Sequence, residues 1–353
     1  MYCHTTFTRN FRNLKPQRLE WSMGLNLLVG ENGSGKTNTL ESLHILTGWG
    51  PFRSLRRSCL VNWNMEDEKA LLKGLFEGEE HLEIFSSLSE RTQMKCDGKR
   101  SNCSSIRERI PTLAFLPGDL SLIDGSPSGR RRYLDRICAL IFPLYAGRLN
   151  DCKKALRHRS VLLSQGKNVA VTSRVLAPLV CWIWSSRRSA LDLVTIGIEN
   201  YNDLLPAPLK MEHIRGGSIG MDDLHLDFWE SLEASGSKEK ILKRPLVGPQ
   251  RDDIVISSGK RPAAEYFSRG QRRRAAVAMM LAAAWAVERR IHRKPLLLLD
   301  EIAAELDDRG RNIMVGSLRD CGWQVFAATA ENNISHWPGA VYEVRSGEIQ
   351  RRN

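Results

Sequence analysis

The sequence reads LNLLVGENGSGKT from Leu25 to Thr37, and this stretch decides the fold. Its first five residues are mostly apolar and predict a buried β-strand. Leu40, Leu43 and Leu46 then recur at helical spacing, so a helix is expected to follow. Between strand and helix lies the pattern Gly-x-x-x-x-Gly-Lys-Thr, which in this setting predicts a phosphate-binding loop.

The loop has the residue types that bind ATP together with Mg²⁺. Its glycines let successive backbone N–H groups point inward at the positive end of the following helix. Lys36 is expected to neutralise the β- and γ-phosphates, and the Thr37 hydroxyl to ligate Mg²⁺. A glycine-rich turn that matches by chance is the alternative, and the flanking strand and helix argue against it. The expected nucleotide-binding residues are Gly30, Glu31, Asn32, Gly33, Ser34, Gly35, Lys36 and Thr37.

A second motif supplies the acids of an ATPase site. Residues 295–301 read PLLLLDE, a continuously apolar strand of the kind found inside parallel sheets, followed by two acids. Asp300 is expected to hold Mg²⁺, directly or through water. Glu301 is expected to polarise the attacking water, with Lys36 as the catalytic cation. The motif is weak alone, but together with the phosphate loop it indicates ATP hydrolysis.

The two motifs lie far apart in the chain, since Gly30 and Asp300 are separated by 270 positions. A compact nucleotide domain needs far fewer residues, so an insertion is expected. We predict an ATPase head built from residues 1–135 and 246–353, and a helical lobe at residues 136–245. Helices are predicted at 137–163, 171–205 and 224–234, and short strands at 71–76, 82–87, 93–96, 112–116 and 324–328.

Composition favours a folded protein with a polyanionic partner. The 353 residues carry 52 Lys and Arg against 40 Asp and Glu, a net charge of +12, which favours nucleic acid or an anionic membrane surface. None of the eight cysteines forms a Cys-x-x-Cys pair, so a zinc ribbon is not expected. The longest apolar run, residues 275–287, is too short to span a bilayer. We expect a cytoplasmic protein with free thiols and no membrane contact.

Positive charge is concentrated between residues 130 and 159, where nine Lys or Arg stand against two acids. Interleaved aromatic residues are not expected to offer a base-stacking platform, so contact with the DNA backbone is expected rather than base stacking. The alternatives are that some of these residues pair with acids inside the protein or face the nucleotide, and that DNA instead follows residues 53–57. The candidate DNA-binding residues are Arg130, Arg131, Arg132, Lys153, Lys154 and Arg157.

A third motif, Ser268-Arg269-Gly270-Gln271, is similar to the signature motif of ABC-type ATPases. A Ser hydroxyl and a Gly N–H at a helix start form a second anion site. In that family the signature meets the γ-phosphate bound by the opposite subunit of a head-to-tail pair. The alternative is that Ser268 caps an ordinary helix. Glu305-Leu306-Asp307 matches the D-loop of the same family.

Taken together, the motifs resemble those of the RecF family of bacterial DNA repair ATPases, which are similar to SMC heads with a short helical lobe. The resemblance covers almost the whole chain. It rests on residues 11–13, 30–37, 52–53, 115–120, 129–135, 248–253, 268–271 and 296–307. It implies an α/β ABC-type head with a mixed sheet and an inserted helical lobe. It also implies an ATP-dependent homodimer on DNA at gaps and single-strand/double-strand junctions, which helps RecR and RecO load RecA.

Some residues depart from the family pattern. Ala328-Thr329-Ala330 stands where ABC transporters have a γ-phosphate-sensing histidine, and no glutamine occupies the Q-loop region near residues 115–119. Gln250 and Ala304 stand where the family has His and Ser. These departures leave ATP binding expected but make slow hydrolysis, or an ATP-binding scaffold with negligible turnover, real alternatives. An SMC-like chromosome-associated ATPase and a transporter subunit are further alternatives, and the basic insert argues against the transporter.

Overall fold

The computed structural model describes residues 1–53, 57–62, 69–89, 92–302, 306–330 and 337–352. The chain forms two compact units. The first combines Met1–Leu120 with Val287–Asn353, and the second consists of Ser121–Ala286. The predicted lobe, residues 136–245, lies within the second unit, which also includes residues 121–135 and 246–286. The functional division into an ATPase head and a lobe stays a prediction.

The elements are numbered in chain order. The strands are β1 (Tyr2–Arg9), β2 (Gln17–Glu20), β3 (Leu25–Val29), β4 (Ala70–Glu77), β5 (Leu82–Leu88), β6 (Gln93–Cys96), β7 (Lys99–Arg100), β8 (Thr112–Phe115), β9 (Lys210–Ile214), β10 (Asp253–Ser258), β11 (Arg261–Pro262), β12 (Leu296–Asp300), β13 (Val325–Thr329), β14 (Ala340–Arg345) and β15 (Glu348–Arg351). The α-helices are α1 (Lys36–Leu46), α2 (Cys103–Arg109), α3 (Pro127–Ile141), α4 (Tyr145–Ser164), α5 (Ala170–Ile198), α6 (Leu224–Leu242), α7 (Ala263–Tyr266), α8 (Arg269–Ile291) and α9 (Asp308–Cys321).

The first unit contains a mixed six-stranded sheet in the order β15-β14-β3-β13-β12-β8. All its pairs are parallel except the β14–β15 hairpin. Every residue of β3, β12 and β13 is buried, which explains why these strands are mostly apolar in sequence. Helix α1 follows β3 and buries Leu40, Leu43 and Leu46 completely. The sequence prediction of an α/β fold with a mixed sheet is therefore confirmed.

Strand register places the two nucleotide motifs side by side. β13 lies between β3 and β12, and Ala328 pairs with Leu28 on one side and with Asp300 on the other. Because the strands are parallel, the loop after Val29 and the acids at the end of β12 leave the sheet at the same edge. This edge is where ligands bind in open α/β sheets.

A second sheet of the first unit is antiparallel, in the order β2-β1-β4-β5-β6-β7. Its alternating pattern buries one face, as in β4, where Ala70, Leu72 and Phe76 are fully buried. These side chains belong to the same core cluster as Leu28 and Leu298 from the mixed sheet. The two sheets therefore share one hydrophobic core. This core supports the mixed sheet that carries the two nucleotide motifs.

The second unit is mainly helical, with a small antiparallel sheet in the order β11-β10-β9. The helix predicted at 137–163 is two helices, α3 and α4, because the chain leaves helical geometry around Pro143. In contrast, α5 continues through Pro178 for 29 residues. The helical insertion is confirmed, and within the described residues no helix is both long and apolar enough to cross a membrane.

The interior of the second unit holds a buried ionic cluster. Arg187 from α5 is 2% exposed and donates to Asp252, Asp135 and the carbonyl of Pro249. Asp252, 1% exposed, also accepts hydrogen bonds from Trp184 Nε1, His213 Nε2 and the Gly216 N–H. These bonds tie α5 to β9 and to the 248–253 segment.

Candidate nucleotide-binding site

The loop between β3 and α1 is held in place by the β14–β15 hairpin. The Gly347 N–H donates to the Ser34 carbonyl at 2.7 Å. A Cβ at Gly30 would lie 2.2 Å from the carbonyl oxygen of Val344, and Gly35 (φ 122) would meet Leu14 at 2.9 Å. No side chain fits at Gly30, so this glycine is required by close backbone approach as well as by loop curvature.

Lys36 is buried at the first position of α1 and points back into the loop. Its Nζ donates to the carbonyls of Gly30 at 2.8 Å and Glu31 at 3.0 Å. The same Nζ lies 3.6 Å from Oε1 of Glu301. In this arrangement two loop carbonyls and a carboxylate contact the Lys36 ammonium group, which would otherwise be available to bind phosphates.

The two acids at the end of β12 adopt different positions. Asp300 accepts from the Thr37 hydroxyl at 2.9 and 3.0 Å, and burial raises the pKa of this carboxyl. Glu301 has φ of 53°, a left-handed conformation that is uncommon outside glycine. Its Oε2 accepts from the Ala330 N–H at 3.1 Å. The predicted residues Lys36, Thr37, Asp300 and Glu301 therefore meet at one place.

These residues fit ATP and Mg²⁺. The Ser34 hydroxyl oxygen is buried and has no hydrogen-bond partner within the described chain, so the loop retains an unsatisfied polar group. A cavity of about 530 Å³ is lined by residues 30–34 of the loop and 343–346 of the hairpin. Thr37 and Asp300 offer the hard oxygen ligands that Mg²⁺ takes, with phosphates and waters completing its shell. Accordingly, no group of three or more His, Cys, Asp or Glu placed to hold a metal occurs among the described residues.

Two polar residues next to the loop had no role assigned from the sequence. The Arg12 guanidinium forms a two-point pair with Glu41 of α1 at 2.7 and 3.0 Å, and Glu41 also accepts from the Phe52 N–H. Asn13 Nδ2 donates to the Gly33 carbonyl at 2.9 Å. Glu41 lies among the leucines of α1 and is buried, and a buried carboxylate needs a partner, so this residue was the signal available in the sequence. These contacts hold the loop and the start of α1 in one geometry.

The signature residues lie in the second unit, at the start of α8. Ser268 Oγ accepts from the Gln271 N–H at 3.3 Å, and Gln271 Oε1 accepts from the Ser268 N–H at 2.8 Å. This reciprocal arrangement is a capping box, so the alternative of a helix cap is realised in the single chain. Ser268, Arg269 and Gly270 are exposed. Their predicted contact with a nucleotide on an opposite subunit stays a prediction.

The candidate DNA-binding residues divide into two groups. Arg130 forms a two-point pair with Asp253 at 2.7 and 2.9 Å, and Arg131 donates to the Asp252 carbonyl, so internal pairing takes up these side chains. Lys154 lies 3.3 Å from Asp151 with both side chains mostly exposed. The exposed residues without a partner in the described part of the chain are Arg132, Lys153 and Arg157. The sequence alternatives at Arg56, the Arg57 side chain, Ala304 and the D-loop residue Glu305 lie outside the described residues.

A family model and individual relatives match almost the whole chain. The sequence model of the RecF/RecN/SMC N terminal domain matches residues 3–351. The chain is 30% identical to the DNA replication and repair protein RecF of Myxococcus xanthus, over 92% of this chain and 90% of the relative. It is 28% identical to the RecF of Heliobacterium modesticaldum, over 98% and 97%.

Solved structures agree with the sequence relatives. The recombination mediator protein RecF-ATP in the RecFOR pathway matches with a TM-score of 0.85 at 26% identity, over 100% of this chain and 98% of that chain. An SMC head bound to the C-winged helix domain of ScpA matches with a TM-score of 0.59 at 16% identity, over 100% and 97%, which shows the shared fold alone. With the phosphate loop and the paired acids in place, the chain belongs to the RecF family within the RecF/RecN/SMC N terminal domain proteins.

Proposed function

We propose that this protein is an ATP-dependent DNA-binding protein of replication and recombinational repair. It dimerises with ATP on DNA at gaps and single-strand/double-strand junctions, in the cytoplasm. It acts with RecR and RecO to load RecA, and slow ATP hydrolysis releases it. The observation that carries the proposal is the meeting of Lys36, Thr37, Asp300 and Glu301 at one edge of the sheet. The names of the relatives, DNA replication and repair protein RecF, support the pathway.

The mechanism begins with Lys36 exchanging partners. Its ammonium leaves the carbonyls of Gly30 and Glu31 and binds phosphate oxygens, which offer more negative charge than two carbonyl dipoles. Thr37 and Asp300 would hold Mg²⁺, which would supply positive charge to neutralise the transferred phosphoryl group. The loop N–H groups between Gly30 and Lys36 orient the phosphates.

When Lys36 moves to the phosphates, it also leaves the carboxylate of Glu301. Without Lys36 at 3.6 Å, its carboxylate loses a counter-charge and can accept a proton from the attacking water. Ser268 and Gly270 from a second copy of the chain supply a further anion site over the γ-phosphate, as the family resemblance implies. Dimerisation and ATP binding are thereby coupled, because each nucleotide contacts both copies.

The test is the molar mass in solution with and without ATP, Mg²⁺ and a gapped duplex, measured by light scattering. We expect a dimer only when nucleotide is present, and a monomer for Lys36→Ala under every condition. Losing a charged hydrogen-bond partner costs roughly 1.5–3 kcal/mol, which is more than tenfold in ATP affinity. Lys73→Ala is the matched control, because Lys73 is exposed on the antiparallel sheet and pairs with Glu83, far in sequence from the loop. Undiminished ATP binding by Lys36→Ala in calorimetry would refute the assigned site.

A second candidate, an ATP-binding scaffold with negligible turnover, is favoured by one observation. The Glu301 carboxylate is held by the Ala330 N–H, at the position where ABC transporters carry a histidine. Single-turnover hydrolysis with and without DNA separates the two candidates. Hydrolysis stimulated by DNA supports the switch, whereas bound ATP that persists unhydrolysed in both conditions supports the scaffold.

A further inference from the structure

The second unit contains a pocket that the nucleotide site does not use. It measures about 300 Å³ and is lined by residues of α3, α4 and α5 and by Pro249 and Gln250. Its walls carry four basic side chains and one acidic side chain. They are Arg131, Arg132, Lys153, Arg187 and Asp135. A concave surface with this excess of positive charge is suited to an anion.

Internal ion pairs account for only part of this charge. Arg187 pairs with Asp135 at 2.8 Å and with Asp252, and Arg131 donates to a backbone carbonyl. Arg132 and Lys153 are exposed, and neither has an acidic partner in the described ranges of the chain. The single acid in the wall is thus already neutralised by Arg187, whereas two cations facing the pocket are not compensated.

A neighbouring amide adds an independent sign of a ligand. Gln250 lines the same pocket, and its Nε2 donates to the Val247 carbonyl at 3.0 Å. Its Oε1 is buried and has no donor within the described residues. Buried polar atoms in folded proteins are nearly always satisfied, so this atom retains capacity for an O–H or N–H group.

We propose that this pocket binds a phosphate group of the DNA, with Arg132 and Lys153 as its charged contacts and a phosphate-bound water donating to Gln250 Oε1. The inference rests on the proposed DNA-binding function and deepens it. Arginine offers a planar pair of donors and lysine a compact charge, a combination that matches phosphate oxygens. Two sources share this chemistry: a phosphodiester of the backbone, and the phosphomonoester at a 5′ strand end, which a gap or junction exposes.

The test compares two gapped duplexes that differ only in a 5′-phosphate or 5′-hydroxyl at the gap. Affinity is measured by fluorescence anisotropy with ATP and Mg²⁺ over a range of salt. We expect Arg132→Gln and Lys153→Gln each to weaken binding about tenfold, as for a lost charged hydrogen bond. Each should also lower the slope of log affinity against log salt by about 0.9. Lys73→Gln is the matched control, because it removes the same charge from an exposed side chain that pairs with Glu83 and does not line the pocket.

The outcomes separate the sources and the two proposals. Loss confined to the 5′-phosphate duplex assigns the pocket to a strand end, and equal loss on both duplexes assigns it to the backbone; either supports the pocket. If Arg132→Gln and Lys153→Gln bind both duplexes as Lys73→Gln does, the pocket proposal is overturned while wild-type binding upholds the proposed function. If the wild-type protein dimerises with ATP but binds neither duplex, both DNA proposals fail and the ATP switch alone survives. Thermal unfolding of each variant checks that the fold is retained.

Discussion

Replacing Asp252 with alanine should destabilise the second unit strongly. The carboxylate accepts four hydrogen bonds, from Arg187, His213, Trp184 and the Gly216 N–H, at distances of 2.6 to 3.0 Å. The substitution leaves these four donors buried, and each unsatisfied donor costs about 1–3 kcal/mol. Removing one partner of a buried ion pair costs about 3–5 kcal/mol in measured cases. Allowing for partial rehydration of the four donors, we expect the free energy of unfolding to fall by about 4 kcal/mol.

The assay is urea unfolding followed by tryptophan fluorescence and circular dichroism in parallel, since two units need not unfold together. With a dependence on urea of about 3 kcal/mol per molar, the transition should move by roughly 1.3 M. Hydrogen exchange of peptides from α5 and the 249–258 segment shows whether the loss lies in the second unit. Asp151→Ala is the control, since its exposed pair with Lys154 is worth under about 1 kcal/mol.

The stabilisation of the second unit by Asp252 also depends on pH. Burial alone would raise the pKa of Asp252, but the hydrogen bond from His213 and the charge of Arg187 outweigh it, so the pKa lies below its ordinary value. A lowered pKa means that the stabilisation is complete above the ordinary aspartate pKa and is lost as the pH falls below about 4. An Asp252→Ala protein within 1 kcal/mol of wild type at neutral pH would refute this account of the cluster.

Two further predictions concern the nucleotide edge. Glu301→Gln should keep ATP bound but slow hydrolysis by about 100-fold or more, as for a lost general base. The variant should therefore accumulate as an ATP-bound dimer. An unchanged single-turnover rate would show that another group activates the water. Because burial raises the pKa of Asp300, Mg²⁺-dependent ATP binding should weaken on acidification at a higher pH than an ordinary aspartate would give, and Asp300→Asn should bind weakly with little pH dependence. A wild-type affinity that stays constant from neutral pH to the ordinary aspartate range would contradict this assignment of the metal ligand.

The parallel sheet and its site were predictable because their signals are local. Residues 25–37 contain strand, loop and helix in one stretch, and residues 295–301 contain a buried strand with its acids. Parallel geometry alone then brings both ends to one edge, and Ala328 pairs with both strands. In contrast, nothing local shows that the hairpin at 340–351 closes the loop, because that contact depends on a backbone approach at Gly30.

The sequence did not show in the same way which charged side chains form internal pairs and which stay exposed. Arg130 and Arg132 are equivalent in sequence, yet Arg130 pairs with Asp253, 123 positions away, and Arg132 stays exposed. The same holds for the prolines, since the chain breaks at Pro143 but α5 passes through Pro178. Packing decides these outcomes, and packing depends on residues distant in the chain.

The position of β3 in its sheet means that its strand partners are synthesised long after β3 itself. Its neighbours, β13 and β14, are made only after the whole second unit, and the loop is closed by the Gly347 N–H later still. Because chains emerge from the ribosome N-terminus first, residues 25–37 wait without strand partners throughout most of translation. Incomplete chains that lack residues 340–347 lack the hydrogen bond from the Gly347 N–H that holds the loop. We therefore expect chains truncated before this hairpin to bind nucleotide more weakly than the full chain, so that ATP stabilises the full chain preferentially.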